Sequence, residues 1–294
     1  MVLIIITLFI LVCIAVSVLE TRFITVTDFG VMNHREPSGN VNEQSGNPFK
    51  GRLFRIVVVS DLHCTRFGKK NSRLICRIRD LKPDLLLVAG DVINSRVSDI
   101  GYAKEFFSEL KTAGINTLYT FGNHEQKLLR IGKEEYEDYK SEMDRFVRIL
   151  NNETITIGSI TIKGLLIPPD MYRDRMVEIR DYFDAERLVG RFEKDGNYHI
   201  LVAHDPTFAD LYRPVGADLI IGGHLHGGLV RLPFVGGLIS PRHRIFPKKT
   251  KGLFDEGKSR LLVTSGIGWH ALPIRFLNNP EICVFSLEVP DNEG

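Results

Sequence analysis

The sequence predicts an α/β protein with parallel strands. Short β-branched, apolar runs recur along the chain, helical patterns separate them, and the runs empty into loops that carry Asp, Asn or His. Strands alternating with helices build parallel sheets, because a crossover helix returns the chain to start the next strand in the same direction.

Taken in order, Arg22 to Thr27 alternates bulky and polar residues and reads as an opening strand. Residues 33–50, rich in Asn, Gly, Pro, Ser and Glu, read as a linker or long surface loop. Phe54 to Val59 has the pattern of a strand buried on both faces and ends at Ser60-Asp61-Leu62-His63. A helix is predicted from Asn71 to Leu81, with Leu74, Ile75 and Ile78 on one face and Pro83 as its stop. Asp84 to Ala89 is the next strand and runs into Gly90-Asp91. A helix around Ala103 to Lys111 leads to the strand Thr117 to Phe121, which empties into Gly122-Asn123-His124-Glu125. Lys127 to Leu150 reads as one charged helix with a core-facing stripe of Tyr136, Tyr139, Met143, Phe146 and Ile149. Thr154 to Leu166 reads as paired strands around Gly158-Ser159. Buried strands at His199 to Ala203 and Asp218 to Ile221 end at His204-Asp205-Pro206 and Gly222-Gly223-His224-Leu225-His226. Late strands are predicted at Arg260 to Thr264 and Glu281 to Leu287.

With 294 residues, the simplest division is an apolar N-terminus (1–20), a strand and linker (21–50) and one catalytic domain (51–290). A net charge of +2 is too small to argue for a nucleic-acid partner. Of the four cysteines, three lie beyond the apolar N-terminus without a CxxC pair, so neither a disulfide framework nor a thiolate zinc site is indicated. Val2 to Leu19 is almost wholly apolar. As a helix it would extend roughly 27 Å, close to a bilayer's hydrocarbon thickness. The expectation is an uncleaved single-pass transmembrane helix, with a cleaved signal segment and a buried soluble helix as the alternatives. Arg22 and Arg35 follow the run with no basic residue before it, which points the C-terminal side toward the cytoplasm. Large domains translocate despite such charges, so the side of the membrane stays open.

Five strand ends carry metal-capable or proton-carrying residues: Asp61 and His63, Asp91, Asn123 with His124, His204, and His224 with His226. Strand ends of an α/β sheet are where loops from distant parts of a chain converge. Five of the nine histidines fall in these motifs, so the distribution is not scattered. A lone Asp-x-His or Gly-Asp is usually a turn; all five in order, each after an apolar strand, are not. Mixed imidazole and carboxylate donors suit Mn, Fe, Zn or related ions. Seven candidate ligands exceed the need of one ion, which favours two ions sharing a carboxylate.

The series Asp61-x-His63, Gly90-Asp91, Gly122-Asn123-His124-Glu125, His204 and Gly223-His224-x-His226 resembles the motifs of the calcineurin-like metallophosphoesterases. The resemblance implies two mixed β-sheets packed as a sandwich flanked by helices, with metals at one sheet edge. It implies Asp61, His63 and His226 on one metal, Asn123, His204 and His224 on the other, and Asp91 between them. His124 would be the catalytic acid or charge stabiliser. Glu125 stands where many members have Asp, and Asp205 where the membrane-anchored branch often has Asn.

The segments 227–233 and 266–276 resemble the bacterial membrane-anchored branch of that family. There the implied reaction is hydrolysis of a phosphodiester or pyrophosphate bond by a metal-bridging hydroxide, on a lipid-linked or nucleotide substrate such as UDP-2,3-diacylglucosamine. A metal-dependent nuclease, a phosphomonoesterase or protein phosphatase, and an inactive metal-binding scaffold are the alternatives. Residues 229–251 interleave apolar and basic side chains, including Arg231, Phe234, Arg242, Arg244 and Lys248. That loop reads either as an interfacial, anion-binding element or as an ordinary solvated loop.

Overall fold

Strand-forming runs and helical stripes assemble, in the computed structural model of the chain, into two six-stranded sheets. The structure describes residues 1–33, 51–172, 182–228, 230–232, 235–238, 247–269, 273 and 275–290. Helix α1 (Val2–Glu20) leads into β1 (Thr25–Val31), and β2 (Gly51–Val59) begins the first βαβ unit. It continues through α2 (Ser72–Asp80), β3 (Leu85–Ala89), α3 (Ile100–Thr112) and β4 (Thr117–Thr120). A single turn, α4 (Asn123–Gln126), and a 3-10 helix (Lys127–Arg130) precede α5 (Lys133–Asp144) and β5 (Arg148–Ile149). The second half contributes β6 (Glu153–Ile157), β7 (Ile160–Leu165), β8 (Tyr198–Ala203) and β9 (Leu219–Gly222). A two-residue ribbon, β10 (Arg231–Leu232) with β11 (Gly236–Gly237), then leads to β12 (Gly252–Glu256), β13 (Ser259–Val263) and β14 (Glu281–Pro290).

The first sheet has the order β1-β14-β2-β3-β4-β5 and the second β12-β13-β9-β8-β7-β6. Each mixes parallel and antiparallel pairs: β2, β3 and β4 run parallel while β14 opposes β2, and β7, β8 and β9 run parallel while β6 opposes β7. The last long strand, β14, lies between β1 and β2, so the two ends of the described chain share one sheet.

Strand periodicity fixes the layers. Ile56 and Val58 of β2, with Leu85 and Leu87 of β3, face Ile200, Val202, Leu219 and Ile221 of the other sheet in one buried cluster. The alternate residues Val57, Val59, Leu86 and Val88 face the opposite way, onto Leu74 and Ile78 of α2 and Phe106 and Phe107 of α3. On the far side, Leu201, Ala203 and Ile220 pack under Phe208 and Tyr212. Strands buried on both faces read as unbroken apolar runs, which is why the sequence shows no polar alternation there.

Several expectations need correction. Among the described residues no helix is long and apolar enough to cross a membrane, so the N-terminal transmembrane helix is not supported, although α1 itself forms. The last turn of α1 is tied to the folded body: Ser17 and Thr21 are buried, and Glu20 Oε2 accepts from Asn278 N at 3.3 Å. Residues 2–16, which precede that turn, would extend about 22 Å, short of the roughly 30 Å hydrocarbon core. The first strand starts at Thr25, not Arg22, because Arg22 N and Phe23 N donate back to Leu19 O and Glu20 O and close the helix. The predicted helix 127–150 is three elements, broken where Gly132 takes extended backbone (φ −176°). Glycine gives up the most conformational freedom in a helix, so it is a natural break. Tyr136, Tyr139 and Met143 remain buried on α5, Phe146 is half-buried, and Ile149 belongs to the edge strand β5. The reading of 33–50 as a linker falls, beyond residue 33, outside the described residues.

Ile221 is fully buried between the sheets. Replacing it with Ala should lower unfolding free energy by about 2–5 kcal/mol, seen as a lower urea midpoint at unchanged slope. A change under about 0.5 kcal/mol would contradict its place in the core.

Candidate metal centre

The ends of β2, β3 and β4 in one sheet and of β8 and β9 in the other meet at a single rim. Backbone bonds stitch them together: Asp61 N to Gly90 O (2.9 Å), His63 N to Asp91 O (3.1 Å), Gly223 N to His204 O (2.9 Å) and Ile267 N to Ser60 O (2.9 Å). The turns are tight. Asp61, His63, Asp91, His224 and His226 all hold positive φ, between 46° and 65°. For non-glycine residues such backbone costs on the order of 1–3 kcal/mol each, and it persists only where the surroundings enforce it. Two motif glycines are explained by proximity. A Cβ on Gly90 (φ +90°) would lie 2.6 Å from His204 Nδ1, and one on Gly223 would strike Asp61 and Ser60.

Glu125 holds two of these turns. Its buried carboxylate accepts from Asp91 N (3.0 Å), Val92 N (2.7 Å), Ile93 N (3.2 Å) and Gly122 N (2.8 Å). Asp91 then turns its Oδ1 to His124 N at 2.8 Å, leaving Oδ2 toward the histidines. A carboxylate accepting several backbone N–H groups rigidifies them as a unit.

All seven predicted ligands and His124 lie at this rim, and each of the eight is buried. Three overlapping groups have donor atoms close enough to share an ion: Asp61, His63 and His226; His63, Asp91 and His124; and Asp91, His204 and His224. His63 Nε2 lies 3.0 Å from His226 Nε2, and His226 Nε2 lies 3.5 Å from Asp61 Oδ1. His204 Nε2 lies 3.1 Å from Asp91 Oδ2. The far ring nitrogens fix orientation: His204 Nδ1 is 2.7 Å from Ala89 O, and His63 Nδ1 is 3.1 Å from Asn94 Oδ1. A donor N–H at Nδ1 leaves the Nε2 lone pair for a cation.

Asn123 extends the cluster. With its carboxamide nitrogen turned to the histidine side it donates to His224 Nδ1 at 2.9 Å and Asp91 Oδ2 at 3.1 Å, while its oxygen accepts from Lys127 Nζ at 3.1 Å. His226 Nδ1 is buried without a hydrogen-bond partner among the described residues. The donor chemistry therefore fits divalent ions of the Mn, Fe or Zn type.

Burial pushes the Asp61 carboxyl up to about 6, partly offset by His204. Burial also acts on Asp91, but His204, His124 and His63 outweigh it and hold that carboxyl well below its usual range. Burial opposes charge on His204, yet Asp91 and Asp61 raise it to about 10. Burial, with His63 and Arg275, drives His226 well down and keeps it neutral.

Sequence reasoning missed the groups that hold or surround these ligands. Asn94 braces His63 twice, at Nδ1 and through Nδ2 to the His63 carbonyl (3.0 Å). Ser95 Oγ is 2.8 Å from His124 Nδ1, and Lys127 Nζ is 3.0 Å from His124 Nε2. Fully buried Arg275 donates to the carbonyls of Ser265 (2.9 Å), Gly268 and Asn278 (3.3 Å), and so pins the loop behind Asp61. Lys127 is spaced three residues from His124 and could have been found from that interval; Arg275 carried no signal beyond its place in the resembling segment. Of the basic loop, Phe234, Arg242 and Arg244 lie outside the described residues. Lys248 is exposed, whereas Arg231 is half-buried and donates to Gly227 O (2.9 Å) and Thr250 Oγ1 (3.0 Å), bracing the turn after His226.

Two mixed sheets with a histidine–carboxylate cluster at one rim define a metallophosphoesterase-type hydrolase. The chain belongs to the calcineurin-like phosphoesterase family, whose model matches residues 54–228. It is 29% identical over 278 residues to the uncharacterized metallophosphoesterase YkuE of Bacillus subtilis, covering 92% of this chain and 87% of that one. It is 25% identical over 274 residues to the phosphodiesterase YaeI of Escherichia coli, covering 90% of this chain and 94% of that one. A Danio rerio transmembrane protein with a metallophosphoesterase domain is 25% identical over 245 residues, covering 78% of this chain and 52% of that one.

Two outcomes are expected. Glu125→Gln removes charge from the carboxylate that receives four backbone donors, and should weaken Mn binding by about tenfold or more by calorimetry; unchanged affinity would remove Glu125 from the support of the site. Because His204 holds a proton well above neutrality, metal uptake at pH 7 should release protons, and affinity should rise with pH. Calorimetry in buffers of different ionisation enthalpy measures that release, and a value of zero would contradict it.

Proposed function

We propose that this chain is a dinuclear-metal phosphodiesterase in which Asp91 would help to hold both ions. The observation that carries the reading is the convergence of donor atoms from Asp61, His63 and His226 on one side and Asp91, His204 and His224 on the other, with His63 and Asp91 also close to one another; in this reading Asn123 completes the second set. Residues 51–290 are taken as the catalytic unit. Two ions at these positions would activate water at neutral pH and neutralise charge on the phosphoryl oxygens.

The chain's own residues supply the rest. Asp91 is held with one oxygen on His124 N and the other turned to the ion side. His124 is oriented at Nδ1 by Ser95 and reaches the cavity beside Lys127. Its Nε2 accepts from the Lys127 ammonium, so His124 would stabilise or protonate a leaving oxygen once a bound substrate draws Lys127 away. The named activity of YaeI supports a diester over a monoester.

The membrane setting belongs to the same proposal. Side chains along α1, among them Ile4, Leu8, Leu11 and Ile14, are at least half exposed, which suits attachment to a lipid surface. Glu20 at the end of α1 bonds Asn278 N, and Asn278 Nδ2 donates to His226 O at 2.7 Å. A helix seated on lipid would thus hold the metal rim close to it, consistent with a lipid-linked or nucleotide substrate of the UDP-2,3-diacylglucosamine type.

Asp91→Asn should lower bound metal and cut turnover of bis-p-nitrophenyl phosphate by at least a thousandfold, with p-nitrophenyl phosphate the poorer substrate of the wild type. His124→Ala should keep two metals and lose about 10²–10⁴ in kcat. Elemental analysis and steady-state kinetics decide both: full activity of Asp91→Asn sinks the dinuclear reading, and full activity of His124→Ala sinks the leaving-group role.

A further inference from the structure

Three side chains at intervals of three residues lead outward from the metal rim: His124, Lys127 and Arg130. His124 lies on the α4 turn, and Lys127 and Arg130 open and close the 3-10 helix that follows. In a 3-10 helix residues i and i+3 eclipse, with a rise of roughly 6 Å between them. Lys127 and Arg130 therefore stack on one side, and together with His124 they line a cavity of about 240 Å³. Pro169 and Tyr172 also line it, and the Tyr172 ring lies 5.5 Å from the His224 ring. Lys127 reaches back to His124. Arg130 is exposed and has no carboxylate partner among the described residues, unlike Lys70, Arg52 or Arg148, whose charges are paired. A cation lining the cavity six residues from His124, with no carboxylate partner among the described residues, is placed to meet an anion.

We infer that Lys127 and Arg130 form a second phosphate subsite, so that the preferred substrates are diesters of diphosphate rather than of a single phosphate. This rests on the phosphodiesterase reading above. The guanidinium gives a bidentate fit to the phosphate next to the scissile one, and Lys127 lies between the two. A cavity of this size admits the diphosphate and leaves bulky groups on either side outside it. The diphosphate is common to soluble nucleotide sugars and to lipid-linked ones.

The test uses the full chain loaded with Mn and compares kcat/KM for UDP-glucose, UDP-2,3-diacylglucosamine in mixed micelles, and bis-p-nitrophenyl phosphate. In the wild type at least one diphosphate is expected to be preferred over the monophosphate diester, and which one identifies the source. Arg130→Ala should lower that preference ratio about tenfold or more, and Arg130→Lys should restore part of it. A ratio unmoved by Arg130→Ala overturns the subsite. A second arm needs no turnover: α,β-methylene-ADP should bind the wild type at least tenfold more tightly than AMP, and Arg130→Ala should bring the two together. If the wild type hydrolyses no diester but keeps this binding difference, the phosphodiesterase reading fails while the subsite stands; equal binding of the two ligands by the wild type overturns the subsite itself.

Discussion

The buried carboxylate of Glu125 is the constraint on which the metal rim depends. Its four contacts from backbone N–H groups join the turn after β3, at Asp91, Val92 and Ile93, to the turn after β4, at Gly122. Were those N–H groups left unpaired in the interior, each would cost on the order of 1–3 kcal/mol. With them satisfied, Asp91 cannot rotate freely, and its two oxygens are committed to His124 N and to the ion side. The Glu125 side chain spans both turns from the first helical turn after β4.

Around this clamp the protein holds several unfavourable states together. Left-handed backbone at Asp61, His63, Asp91, His224 and His226 places their side chains on one point, and buried carboxylates face buried imidazoles. His204 Nε2 and Asp91 Oδ2, 3.1 Å apart, offset part of each other's charge. Divalent ions at the rim would take over that role. Coupling of strain and charge to a bound cation is a reason for such residues to sit where local propensity would not put them.

The strands were largely legible because each is buried on both faces and so appears as an unbroken apolar run. Ile56, Val57, Val58 and Val59 show this, and β3, β8 and β9 repeat it. The continuous helix expected over 127–150 was misread because a polar, charged stretch carries helical propensity through Gly132, where the backbone leaves the helix. The long apolar N-terminus was legible as a helix. Its relation to the body was not, since Glu20 finds Asn278, more than 250 residues away.

By itself the sequence determined the chemistry available at the rim: Asp61, His63, Asp91, Asn123, His124, His204, His224 and His226 each follow an apolar run, and strand ends converge. That is local information, set by residue type and spacing. Tertiary structure alone decided what steadies and surrounds those groups. Asn94 behind His63, Arg275 behind the loop at Asp61, and Arg130 beside the cavity act through distance in space, which side-chain periodicity does not encode. Which of the two sheets each strand joins was likewise a packing outcome, with β14 inserted between β1 and β2 because its alternate residues complete both apolar layers at once.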